Sequence, residues 1–211
     1  MSEQAVSEGR WIFHAPLGHG VLLGLFSLAA AVILSLTHSL TEAAIEQRKA
    51  EDLLASLAQV LPADDHDNDP SRTTRTLTDA AEGEVMLYLA TRDGAVTGTA
   101  LELAGFGYAG AIRVLIGIAP DGTVLGARVL SHSETPGLGD KIEHRISPWI
   151  DSFQGRSLGD PDPDGWTVRK EGGAFDQFSG ATITPRTVIK TVERGLQLFA
   201  RHRSEILETG P

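Results

Sequence analysis

The 211-residue sequence contains no cysteine. That excludes disulfides, iron–sulfur clusters, thiolate metal sites and cofactor attachment through sulfur, so any redox chemistry requires a separately bound group. Basic residues are scarce as well: 18 Lys and Arg stand against 28 Asp and Glu, for a formal net charge of −10. Binding a phosphate backbone needs clustered cations, so no nucleic acid partner is expected. One stretch lacks charge altogether, with no Asp, Glu, Lys or Arg between Arg10 and Glu42. What remains, at 41% hydrophobic, suits one ordinary globular domain with accessories.

Within the uncharged stretch, residues 17–40 are mostly Leu, Ala, Val, Ile, Gly and Phe. A bilayer needs roughly 20 apolar residues, so this stretch predicts a transmembrane helix. A cleaved signal peptide fits less well, because the segment before it is long and weakly charged and no clean small-x-small site follows. Trp11 and Phe13 fit an interfacial aromatic girdle, and Gly18, Gly20 and Gly24 are small residues of the kind found at helix contacts. Arg10 before the span and Arg48 and Lys49 after it would by local counting place the bulk of the chain in the cytoplasm. Long domains escape that rule, so charge leaves the side open.

Ile45, Leu53, Leu54, Leu57 and Leu61 recur at helical spacing and predict an amphipathic helix out of the membrane. Residues 62–75 follow as an acidic, then Ser/Thr-rich loop; its Asp/His cluster lacks the glycine turn and terminal Glu of a calcium loop. Strand-like runs at 85–91, 95–103, 112–119 and 124–131 form two successive hairpins around Asp93-Gly94 and Asp121-Gly122, which predicts an antiparallel sheet. Residues 105–110 hold three glycines but do not lead from a strand into a helix, so they are no dinucleotide fingerprint. A Pro-Gly-x-Gly stretch, 136–139, then a short helical stretch broken at Pro148, a turn at 159–165 and one more strand at 166–170 complete this region.

A C-terminal helix is predicted from the stripe Val188, Val192, Leu196 and Phe199. Before it lies Asp176-Gln177-Phe178-Ser179-Gly180-Ala181-Thr182, with Pro185 suited to the first helical position and Thr184 to the cap. Backbone N–H groups at such a junction favour an anion, so the stretch reads either as a phosphate seat or as a capped helix start with no other role. The histidines show no Ser/His/Asp pattern, which argues against a hydrolase.

One apolar span, a Gly-Tyr-x-Gly loop with a hairpin, Glu134-Thr135-Pro136-Gly137-Leu138-Gly139 and Asp176-x-x-Ser179-Gly180-Ala181-Thr182 occur in that order. The pattern resembles the G subunits of the Rnf (Rsx) ion-translocating electron transport complex, and more distantly the C subunits of the sodium-translocating NADH:quinone reductase, both in the FMN-binding domain family. The resemblance implies an α+β fold in which a single N-terminal transmembrane helix precedes an FMN-binding domain, its antiparallel sheet packed against helices. It implies a short cytoplasmic tail at 1–16, the span at 17–40, a helical stem and acidic linker at 41–76, the FMN-binding domain at 77–203 and a tail at 204–211. It also implies covalent FMN, carried as a phosphoester on Thr182 by a flavin transferase that recognises Asp176. Ser179, Gly180 and Ala181 would be small so that phosphate and transferase can approach the backbone, with Thr184 the neighbouring hydroxyl of the cofactor site. Glu134, Thr135, Gly137, Leu138 and Gly139 would line the flavin, Glu134 or Thr135 supplying a polar contact. The expected partners are the other members of the complex, the transferase and membrane lipid. The expected location is a bacterial inner membrane, with the soluble domain on the periplasmic side. The expected function is electron carriage in a ferredoxin:NAD translocase. The quinone-reductase counterpart, or an anchored assembly or sensory module without a redox role, are the alternatives.

Overall fold

The computed structural model describes residues 16–208. The expected N-terminal tail with its Trp11 and Phe13 girdle, and residues 209–211, lie outside the described residues. The predicted span and the amphipathic stem join in one helix, α1 (Pro16–Val60). Its apolar portion reaches a mean hydropathy of 2.3 with none of that window buried, so one helix is long and apolar enough to cross a membrane. Thr37 and Thr41 satisfy their hydroxyls inside the helix, donating to the carbonyls of Ile33 and Thr37 at 2.8 Å. The chain divides into two compact units, the first ending at Ala50 and the second beginning at Glu51.

The second unit is built on a five-stranded antiparallel meander in sequence order. Its strands are β1 (Thr74–Asp79), β2 (Gly83–Arg92), β3 (Ala95–Phe106), β4 (Ala111–Ile118) and β5 (Val124–Ser131). Four strands fall where alternating apolar residues and Gly-containing turns predict them. The helix α2 (Ile183–Leu207) crosses one face of the sheet, where Val188, Val192, Leu196 and Phe199 join Leu87, Leu101, Leu103 and Ile116 in a single core. Gly195 permits this approach, since a Cβ there would stand 2.6 Å from Ile116 Cδ1.

The other face receives the last turn of α1. Leu57, Val60 and Leu61 pack there against Tyr88, Ala90, Ala100 and Leu115. The contact is backbone to backbone: a Cβ on Gly117 would collide with the Val60 carbonyl oxygen, and one on Gly126 would lie 3.1 Å from that of Gln59.

Three local expectations are corrected. The loop expected through residue 75 ends sooner: Thr74 and Arg75 open β1, which runs on through residues given no element to Asp79 at the sheet edge, paired with β2. Residues 166–170 do not extend the sheet; they make one bridge, Val168 to Phe175, and turn through a short 3-10 segment into Gly172 at φ +89. Trp166 is fully buried there among Phe153 and Phe175. Finally, α2 starts at Ile183, with Thr182 as its N-cap residue, so Pro185 is its third residue and Thr184 caps nothing.

The far end of α2 is fastened to the β1–β2 turn through Asp79. Arg201 donates to both Asp79 carboxylate oxygens at 3.0 and 3.1 Å, the N–H groups of Ala81 and Glu82 donate at 2.9 and 3.0 Å, and His202 Nε2 lies 3.0 Å away. These donors, Arg201 foremost, hold the carboxyl well below its ordinary value. Glu205 and Asp79 together raise the His202 pKa above its ordinary 6.5. A raised folded pKa adds stability that is fully present below that ordinary value and disappears as pH climbs through the folded value. His202→Gln is therefore expected to lower the melting temperature most on the acid side of 6.5, the gap closing as pH rises. Thermal melts of the full chain across pH check this, and a pH-independent gap would remove the histidine's charge from the account.

Candidate functional site

Three segments meet at the head of α2. The first is the turn of residues 178–181, closed by the Ala181 N–H donating to the Phe178 carbonyl at 3.2 Å and by Gly180 at φ +82. A left-handed residue there is what allows glycine and little else. Phe178 anchors the turn, buried with its ring 5.1 Å from that of Trp149, whose indole N–H donates to the Asp176 carbonyl at 2.8 Å. Asp176, Ser179 and Gly180 remain exposed, and the Asp176 carboxylate pairs with Arg169 at 2.9 Å.

Thr182 follows directly. It is half-buried, its carbonyl accepts the Arg186 N–H at 3.4 Å, and its side chain makes no cap bond to the helix. Within α2 the N–H groups of Ile183 and Thr184 have no helical partner and add to the positive end of a 25-residue dipole, while Pro185 carries no N–H. An uncommitted hydroxyl thus sits where negative charge is favoured. Arg186 in this turn is not free to supply charge, because it pairs with Glu171, whose carboxyl is lowered by the Thr167 hydroxyl and by Arg186.

The second segment is the turn of residues 134–140. The N–H groups of Leu138 and Gly139 donate to the Thr135 carbonyl at 3.1 and 3.0 Å, and that of Gly137, at φ +78, to Asp140 Oδ2 at 2.8 Å. Thr135, Gly137 and Leu138 are exposed. Leu138 reaches across to the other motif, since a Cβ on Gly180 would stand 3.5 Å from its Cδ2. The two sequence motifs are thereby neighbours in space.

Glu134 sits at the junction and is buried. One carboxylate oxygen accepts the Ala109 N–H at 3.0 Å and the other accepts the Thr184 hydroxyl. Gly139 and Gly107 make room for it; a Cβ on Gly139 would lie 2.9 Å from Glu134 Cβ and 3.0 Å from Thr184 Oγ1. The Glu134 N–H donates to His132 Nδ1 at 3.0 Å, and His132 Nε2 meets Glu143 at 2.8 Å. The carboxylate is thus engaged with the protein itself, tying the turn to α2 and to the third segment, residues 106–110. Both Glu134 carboxylate oxygens have protein partners. Thr184, fully buried, is likewise committed to Glu134.

The third segment is the Gly-Tyr-x-Gly loop of the sequence pattern, which offered no site residue of its own. It carries the exposed side chains of Phe106 and Tyr108, and the Thr187 hydroxyl of α2 donates to the Phe106 carbonyl at 2.9 Å. Its alternating apolar pattern reads as a strand running into a glycine loop, and no sequence rule separates a ring pointing outward from one in the core.

Residues 107–197 match the FMN-binding domain model and residues 15–60 match the RnfG N-terminal region. The chain is 64% identical to the G subunit of the ion-translocating oxidoreductase complex of Cereibacter sphaeroides, covering 93% of this chain and 90% of that one. It is 45% identical to the protein of the same name from Vibrio vulnificus, covering 90% and 92%. Among solved structures it is similar to NqrC of Shewanella oneidensis, with a TM-score of 0.57 and 18% identity over 76% of this chain and 98% of that one. The C subunit of the sodium-translocating NADH-quinone reductase of Parabacteroides distasonis gives a TM-score of 0.52 and 21% identity, over 75% and 95%. At those identities the structural likeness speaks for the fold.

Proposed function

The chain belongs to the family of ion-translocating oxidoreductase complex G subunits with an FMN-binding domain, and from that premise we propose that it carries FMN as a phosphoester on Thr182. The observation that supports this most directly is the Thr182 side chain, which makes no cap bond to the helix yet stands at the positive end of α2 beside the exposed turn of Ser179 and Gly180. The residues fit the group. A phosphoester keeps a negative charge that the Ile183 and Thr184 N–H groups can receive, and the exposed side chains of Ile183, next in sequence, and Leu138, beside Gly180, can receive an aromatic ring.

In the attachment step the Thr182 Oγ forms a bond to the FMN phosphorus of FAD. The pyrophosphate bond breaks, AMP leaves, and the hydroxyl proton passes to base. Asp176, exposed with Gln177 on the upstream side of the turn, is placed for reading by the transferase that catalyses this step. Thr184 is unsuited to the reaction, because its hydroxyl already donates to Glu134. Bound flavin supplies one- and two-electron redox chemistry, and the chain supplies its position and surroundings.

The protein then acts as an electron carrier between neighbouring cofactors on a route linking ferredoxin and NAD, within a translocase anchored in a bacterial inner membrane by α1. We place the unit beginning at Glu51 on the periplasmic side. Tagged full-length chain, purified from cells that make a flavin transferase, tests the reading. The expected result is a denatured band that fluoresces under ultraviolet light, FMN mass on the peptide containing Thr182, and copurifying membrane subunits. A dark band under those conditions would instead favour an assembly or sensory role.

A further inference from the structure

Phe106 is 83% exposed and Tyr108 75%, whereas Phe153, Trp166, Phe175 and Phe199 of the same unit are fully buried. The loop that carries the exposed pair is pinned at several points. Gly107 N–H donates to the Gly110 carbonyl at 2.8 Å, Ala109 N–H to Glu134 at 3.0 Å, and the Thr187 hydroxyl to the Phe106 carbonyl at 2.9 Å. A fixed backbone holding two aromatic side chains in solvent marks a contact surface.

Its pins identify the occupant. Two of them lead to Thr184 and Thr187, in the first turns of α2, and at 1.5 Å per residue Thr187 lies only about 7.5 Å along the helix from Thr182. Ile183, 46% exposed, follows Thr182 directly, and Leu138, 43% exposed, leans over Gly180. Four exposed side chains, Phe106, Tyr108, Leu138 and Ile183, therefore sit on the segments that meet at the head of α2, where Thr182 stands. They match one flat ring system; a stable protein interface takes about 20–30 residues on each side.

We infer that Phe106 and Tyr108, with Leu138 and Ile183, form the bed on which the isoalloxazine of a flavin tethered at Thr182 lies, and that Glu134 is the positioning residue that holds this bed in register with the tether. The inference rests on attachment at Thr182. Aromatic faces favour an offset-stacked partner, and a ring so placed is shielded from water on one side.

The test uses the full-length, flavin-loaded chain in detergent, with attachment scored separately by fluorescence of the denatured band. A stacked tyrosine quenches flavin emission by electron donation to the excited ring, and a bedded ring tumbles with the protein. Tyr108→Ser is expected to raise native-state emission severalfold with the denatured band unchanged, and Phe106→Ser to lower emission anisotropy. Both side chains are exposed, so neither change disturbs the core. Glu134→Ala should reproduce both effects by releasing the loop. Glu134→Gln should restore wild-type values, because its amide still accepts from Ala109 and still meets the Thr184 hydroxyl. Unchanged emission and anisotropy in both serine variants, with flavin attached, would place the ring elsewhere and leave the aromatic pair to a neighbouring protein of the complex. A wild-type chain with no attached flavin would overturn the Thr182 reading and this inference with it.

Discussion

Thr182→Ala is expected to abolish covalent flavin completely while changing stability by no more than about 0.5 kcal/mol. The attachment effect is all-or-none because one oxygen is the proposed acceptor. The stability effect is small because that side chain is half-buried and makes no cap bond to α2. Thr184→Ala should do the reverse. Attachment persists, but a buried carboxylate loses its hydroxyl donor, at a cost of about 1–3 kcal/mol. In-gel fluorescence, intact mass and denaturant melts of the two variants side by side read both quantities. A fluorescent Thr182→Ala band beside a dark Thr184→Ala band would move the acceptor to Thr184.

Gly117→Ala is expected to destabilise the sheet unit by about 1–3 kcal/mol, a large penalty for one methyl group. The added Cβ meets the Val60 carbonyl oxygen, and both partners are backbone, one near the end of β4 and the other in the last turn of α1. Neither can swing aside as a side chain would, so the helix end must lift from Leu115 and Tyr88. Gly126→Ala, with 3.1 Å to the Gln59 carbonyl, should cost less. Gly159→Ala, with nothing within 4 Å, serves as the neutral control. Equal denaturation midpoints for Gly117→Ala and Gly159→Ala would show that the helix end is not seated on the sheet.

The four strands and two long helices were legible because each repeats its period over enough residues, as with Leu87, Leu89, Leu101 and Leu103 on one face and the Val188 to Phe199 stripe opposite. Strand β1 was not, because Thr74, Arg75, Thr76 and Thr78 give it no apolar rhythm and only Leu77 and Asp79 are buried. Trp166 and Val168 alternate like strand residues, but Gly172 turns the chain before a second pair can form. At the site, Ser179 to Thr182 could be placed at a helix head from local chemistry alone. The bracing of Thr184 by Glu134 could not, since the partners lie 50 residues apart and each is also plausible as a solvent-facing group. The seat of α1 on Gly117 and Gly126 was hidden for a related reason: glycines inside a strand signal only that something comes close.

The anchoring of Phe178 also sets an order of events. Its ring belongs to the aromatic core beside Trp149, and the Trp149 indole holds the Asp176 carbonyl, so the exposed residues on either side take their positions only when that core has closed. In an unfolded chain the same residues are a string with no presented face, and Thr182 has no helix behind it. A modifying enzyme that reads the arrangement therefore reads completion of folding, and a chain that stalls beforehand stays unlabelled.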